Sequence, residues 1–134
     1  MLQAAAEDER LAAVVSEGAG TRSIGEELEE YNSRDTAMAF PFLVLKTAAV
    51  SVFSNETPPP KLTDLVPQIA PRPTLLIWTP TSGVETMNST YQRLGGPNST
   101  IWEIPEASHI RGIVARPQEY EDRVVGFFDD ALLD

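Results

Sequence analysis

The chain has 134 residues, 42% hydrophobic and 22% charged, with 20 acidic residues against 10 Lys and Arg for a net charge of −10. That length suits one domain with a core, and the acidic excess argues against nucleic acid and against an anionic membrane surface, which need clustered cations. Zero cysteines exclude disulfides, a thiolate nucleophile and Cys-ligated metal, and one histidine is too few for a zinc site, so no metal and no cofactor are expected.

Residues 1–9 resemble the end of a helix that lacks its beginning, with Leu2, Ala5 and Ala6 on one face and no cap ahead of them. No basic region precedes an apolar core, so no signal peptide is read and a cytoplasmic location is expected. Leu11 to Ser16 reads as a short buried strand, ended by the glycines of Glu17-Gly18-Ala19-Gly20. Ser23 to about Glu30 is an acidic helical segment. Thr36 to Phe53 is apolar and roughly long enough to span a membrane, but Pro41 and Lys46 interrupt it and basic flanks are missing. A buried or lid-like helix is expected there, within an insertion over residues 22–60; a membrane-anchored fragment is the alternative.

After the Pro-rich stretch Asn55 to Pro60, the spacing of Leu62, Leu65, Val66 and Ile69 predicts a short amphipathic helix. Thr74 to Trp78 is a continuous apolar run, which suits a strand covered on both faces. Glu85 to Leu94 reads as a helix stopped by Gly95-Gly96-Pro97, and Thr100 to Ile104 as a strand stopped by Pro105. Pro117 opens a last helix over about 118–133, its apolar side including Tyr120, Val124, Phe127 and Phe128. Strands alternating with helices imply an α/β class with about three parallel strands and right-handed crossovers. Two open edges make this a poor isolated domain, so the chain reads as the back half of something larger.

His109, the single histidine, follows the strand at 100–104 on a loop; taken alone it reads either as a surface residue with no chemistry or as an imidazole held yet reachable, as a general base requires. Glu85 is the first carboxylate after Trp78. It is either an acid that orients His109 or an acidic residue in the first turn of a helix, favoured there by the macrodipole. Trp78 and Trp102 read as core residues, and Arg111 as a solvated side chain or part of a substrate mouth. The three sequons, Asn55-Glu-Thr, Asn88-Ser-Thr and Asn98-Ser-Thr, read as accidental.

The pattern resembles the C-terminal half of an α/β-hydrolase, closest to esterase-like or dienelactone-hydrolase-like members. Pro71-Arg-Pro-Thr-Leu-Leu-Ile-Trp78 looks like that fold's penultimate strand and its lead-in, and Ile101-Trp-Glu-Ile-Pro-Glu-Ala-Ser-His109 like its last strand and histidine loop. Ala115 to Tyr120 followed by Val124 to Phe128 looks like the closing helix. The resemblance implies a Ser-acid-His triad in which His109 is the base and Glu85 the acid, hydrolysing a carboxylic ester or related acyl compound. It departs from the family in that Thr79-Pro-Thr-Ser82 replaces a glycine-rich stretch, and in that Glu stands where Asp is commoner. No Gly-x-Ser-x-Gly occurs: Ser16 lacks the preceding glycine, and Ser108 points away from its neighbour His109. The family's order places the missing serine a few residues before Met1, with half of the oxyanion hole, so the chain alone is expected to be close to inactive. Its expected partners are a small ester or acyl substrate and an N-terminal half, or a second copy joined through the open sheet edge. The rival is a non-catalytic module that uses this edge to pair with another chain.

Overall fold

The computed structural model describes residues 1–30, 33–54, 59–83 and 85–133. They form two compact units, Met1–Gly20 with Leu62–Asp134, and Thr21–Lys61.

The larger unit is α/β. Its three strands, β1 (Val14–Glu17), β2 (Thr74–Trp78) and β3 (Ser99–Glu103), form a parallel sheet in the order β1-β2-β3. Val14 stands opposite Thr74 and Thr74 opposite Ser99, so the three carboxyl ends, where loops carry function in parallel sheets, emerge side by side. The strand at 74–78 lies where its apolar run predicts it. The first strand begins at Val14 rather than Leu11, and a distant cation explains the delay. Arg72 Nη1 donates to the carbonyls of Asp8 and Leu11 at 3.0 Å each, holding this stretch as a connection. Pairing starts only where Val14 N–H reaches Pro73 O at 3.1 Å.

Side chains alternate across a strand, so the run in β2 feeds two cores. Leu76 joins Leu2 and Ala5 of α1 (Leu2–Glu7), Leu62 and Leu65 of α4 (Leu62–Leu65), Val66 and Ile69 beyond it, and Tyr91 of α5 (Asn88–Leu94). On the other face, Leu75 and Ile77 pack with Trp102, Ile104 and Ala107, against which Tyr120, Val124 and Phe127 of α7 (Pro117–Leu132) lie half-buried. Pro117 occupies the first position of α7, where its missing N–H costs nothing. A single turn, α6 (Gly112–Ala115), precedes α7 and was not legible in the sequence.

Ladder bonds alternate along a parallel strand. Since Val14 and Gly18 N–H donate to Pro73 O and Ile77 O, the amides of Val15 and Glu17 face away from β2. Among the described residues no strand pairs with that edge.

In the smaller unit, α2 (Ile24–Glu30) opens on a Ser-x-x-Glu cap: Ser23 Oγ accepts Glu26 N–H at 3.2 Å, and Glu26 Oε2 accepts Arg22 N–H at 3.0 Å. The following α3 (Ser33–Ser54) contains Pro41. The helix expected over 36–53 therefore forms, but burial does not hold for its described side chains: Phe40, Phe42, Leu45 and Phe53 are exposed, while Leu43 is buried. Its apolar residues are spread around the helix rather than gathered in one stripe, so no single face could bury them all. Among the described residues no helix is long and apolar enough to cross a membrane. Part of the Pro-rich stretch, residues 55–58, and the sequon asparagine Asn55 lie outside the described residues. Asn88 is fully buried, which closes that sequon to modification.

Candidate functional site

Glu85 and His109 meet at the carboxyl ends of β2 and β3. His109 Nδ1 lies 2.6 Å from Glu85 Oε1. An ionised carboxylate only accepts, which places the ring proton on Nδ1 and leaves a lone pair on Nε2. The pair is asymmetric in burial: the glutamate side chain is 1% exposed and the imidazole 47%. The acid is enclosed and the ring opens to solvent.

Glu85 is not in a helix. Asn88 begins α5, and Glu85 sits in the preceding turn, with Asn88 N–H donating to Glu85 O at 3.1 Å. This corrects the expected start of the helix and removes the alternative of a first-turn carboxylate. The reason is competition for the side chain. Glu85 Oε2 accepts the buried N–H of Thr79 at 2.7 Å, so the carboxylate turns back toward β2 instead of outward from a helix.

Two further side chains fix the acid's loop. Asn88 Nδ2 donates at 2.8 Å to both Ala19 O and Glu85 O, joining the exit of β1 to the acid. Its Oδ1 is buried with no hydrogen-bond partner. Thr79 Oγ1 donates to Ala107 O at 2.9 Å, joining the acid's loop to the histidine's. The recess lined by Glu17, Thr79, Glu85, Ile104, Ala107 and Ile110 leaves no room for a water molecule. The carboxylate thus approaches Nδ1 from the buried side, while the ring itself opens to solvent.

Ile110, next to the histidine, has φ +51°. A β-branched residue in the left-handed region is strained by about 1–3 kcal/mol and persists only where its surroundings impose it. Gly18, leaving β1, has φ +63°, and a Cβ there would stand 2.6 Å from Ile110 Cγ2 and 3.2 Å from both His109 Cε1 and Glu85 Oε1. Glu17 Oε1 accepts Gly112 N–H at 2.6 Å, and Glu17 Oε2 accepts the Tyr120 hydroxyl at 3.1 Å. Burial, then the charge and hydrogen bond of Glu17, push the Tyr120 phenol up to about 12. On the outer side of the loop, Arg116 bridges Glu106 and Glu119, and Glu106's carboxyl is held below its ordinary range by that guanidinium.

The sequence pointed to Glu85 and His109, and the structure brings them together. Glu17, Gly18, Thr79, Asn88 and Tyr120 were not read as parts of a site. Gly18 registered as a loop marker and Thr79 as a departure from a glycine-rich stretch, and neither signal specified a contact. Arg111 and Ser108 are exposed, Trp102 is buried and Trp78 half-buried. Chemically, the arrangement offers a solvent-facing Nε2 on an imidazole oriented through Nδ1, which suits proton transfer. Among the described residues no hydroxyl is hydrogen-bonded to this ring, and no group of three or more His, Asp or Glu is placed to hold a metal ion. Compared with known proteins, the chain matches no described protein family and no curated protein sequence.

Proposed function

We propose that this chain is the C-terminal part of a serine-type α/β-hydrolase acting on carboxylic esters or related acyl compounds. It supplies His109 as base and Glu85 as orienting acid, and the nucleophilic serine comes from outside these 134 residues. The observation that carries the proposal is the 2.6 Å contact between Glu85 Oε1 and His109 Nδ1. Support comes from the order of parts: acid after β2, base after neighbouring β3, and no Gly-x-Ser-x-Gly in the chain.

In the proposed reaction the serine hydroxyl attacks the ester carbonyl while Nε2 takes its proton. The tetrahedral intermediate then expels the alcohol, which leaves with that proton, and water repeats the sequence on the acyl-serine. Glu85 holds the ring and stabilises the transient imidazolium. Half of the oxyanion hole lies beside that serine, and the other backbone donor comes from a still earlier loop.

The test compares residues 1–134 alone with the protein expressed together with its upstream coding segment, using a short-chain aryl ester and a fluorophosphonate label. We expect background turnover from the 134 residues. The longer protein should turn over ester and be labelled at a serine outside them, both lost in His109→Ala. Turnover well above background by the isolated chain, abolished by His109→Ala, would place the nucleophile inside. An unlabelled, inactive longer protein would overturn the hydrolase assignment.

The open edge of β1 favours a second reading, a non-catalytic module that pairs this edge with a partner chain. A monodisperse dimer, or a stable complex with no ester turnover in the longer protein, would support it.

A further inference from the structure

From the geometry where β1 ends, we infer that Glu17 and Gly18 are positioning residues for His109: they hold the loop after β3 so that the ring meets Glu85. The inference rests on the assignment of His109 as an oriented base, but it concerns residues that the acid–base pair itself does not include.

The histidine loop is tied down on both sides of the ring. Two residues before it, Ala107 O accepts from Thr79 Oγ1 at 2.9 Å. Three residues after it, Gly112 N–H donates to Glu17 Oε1 at 2.6 Å. Between the anchors the chain must reverse within a few residues, and it does so at Ile110 with φ +51°. A β-branched side chain does not enter that conformation unprompted. Glu17 draws Gly112 toward the sheet, and Gly18 leaves the space into which Ile110 Cγ2 and the edge of the imidazole settle.

A Cβ at either glycine forces its neighbours to shift, and at Gly18 the backbone at φ +63° adds strain that no side-chain movement relieves. At Gly18 a Cβ would overlap Ile110 at 2.6 Å, and at Gly112 it would stand 2.7 Å from Ile104 Cδ1 and 2.9 Å from Glu17 Oε1. Glu17 is not a solvated strand end. Its two oxygens are engaged by partners 95 and 103 residues further along the chain, in α6 and α7. The carboxylate thus links the sheet, the histidine loop and the closing helix at one point. A carboxylate acceptor binds such donors more strongly than a neutral one, which suits an anchor opposing backbone strain.

The test reads the ring directly on the 134-residue chain, where a single histidine gives an unambiguous signal. The proton shared by His109 Nδ1 and Glu85 should appear as a strongly deshielded resonance, coupled to a protonated Nδ1. Glu17→Ala should lose this resonance while the amide signals of β2 and α5 stay in place. Glu17→Gln, which keeps an oxygen for Gly112 N–H, should restore it. Gly18→Ala should lose it through overlap with Ile110 rather than loss of an anchor. Should either alanine variant unfold, the other decides the matter.

Resonances unchanged in a folded Glu17→Ala or Gly18→Ala would overturn the positioning role and leave the acid–base pair standing. A wild-type chain without the resonance would overturn the pair itself, and with it the assignment of His109 as an oriented base.

Discussion

Glu85 and His109 are joined by a 2.6 Å contact between a carboxylate that solvent does not reach and an imidazole that is nearly half exposed. The acid is fixed by Thr79 N–H on its other oxygen, so it has one direction left to serve. That direction sets the ring's tautomer and leaves Nε2 as the nitrogen outside the contact.

Glu85→Gln should reverse this tautomer. The amide oxygen stays with Thr79 N–H, and the amide nitrogen then faces Nδ1, which must become an acceptor; the proton moves to Nε2. Ring ¹⁵N shifts of His109 distinguish the two forms, and an unchanged Nδ1–H tautomer would count against the assigned orientation. In a serine-dependent reaction the wrong tautomer costs on the order of 10⁴ in turnover.

Asn88 offers two donors' worth of bonding to Ala19 O and Glu85 O from a single nitrogen. Asn88→Ala should destabilise the fold by about 1–3 kcal/mol, because Ala19 O loses this donor and Glu85 O keeps only the backbone N–H of residue 88, with some offset from removing the unpartnered Oδ1. Asn88→Asp should be worse than alanine, since it aims an acceptor at both carbonyls. Denaturant midpoints rank the two, and an aspartate variant as stable as the alanine one would refute this account.

Tyr120 governs an alkaline limb. Its phenol is pushed up to about 12 from an ordinary 10.0, so the fold prefers the protonated form. That preference contributes in full below the unfolded value, about pH 10, and is lost as pH rises toward the folded value. Tyr120→Phe should flatten the fall in stability over that window. Equal slopes for variant and wild type, measured by unfolding at a series of alkaline pH values, would show that Tyr120 has no such part.

Gly126 lies within α7, and a Cβ there would meet nothing within 4 Å. Gly126→Ala should therefore stabilise by about 0.5–1 kcal/mol, through reduced freedom of the unfolded chain and better helix propensity. Thermal midpoints test the sign, which should be opposite to that of Gly18→Ala.

How much of this was legible depends on how local each cause is. The bounds of β2 were readable because the run Thr74–Trp78 is framed by Pro73 and by Thr79-Pro80. The burial of Leu62, Leu65, Val66 and Ile69 was readable from their spacing, although the α-helix stops at Leu65 and a 3₁₀ turn over Val66–Gln68 follows it. The meeting of Glu85 with His109 followed from strand order and a family resemblance rather than from periodicity. The delayed start of β1 was not readable, because Arg72 causes it from 61 residues away. Nor was Glu17, whose partners lie in α6 and α7. The shortening of α5 came from a side chain that bonds backward to Thr79, which propensity does not register. Whether α3 is buried or lid-like stayed open in the sequence, because apolar content alone does not say whether a covering surface exists.

The contact between Glu85 and His109 lies within one unit, β2–α5–β3 and the loops that leave its strands, only 24 residues apart. Carboxylate and imidazole are thus carried on one short segment of chain. A crossover ahead of Thr74 exchanges what precedes the pair without separating its members, and its toll falls on the ladder to β1, on the core that Leu76 shares with Leu2 and Leu62, and on the bonds made by Glu17 and Ala19. Such an exchange preserves the contact between carboxylate and ring only where the incoming segment again ends its strand in an acceptor for Gly112 N–H and a residue without a Cβ beside Ile110.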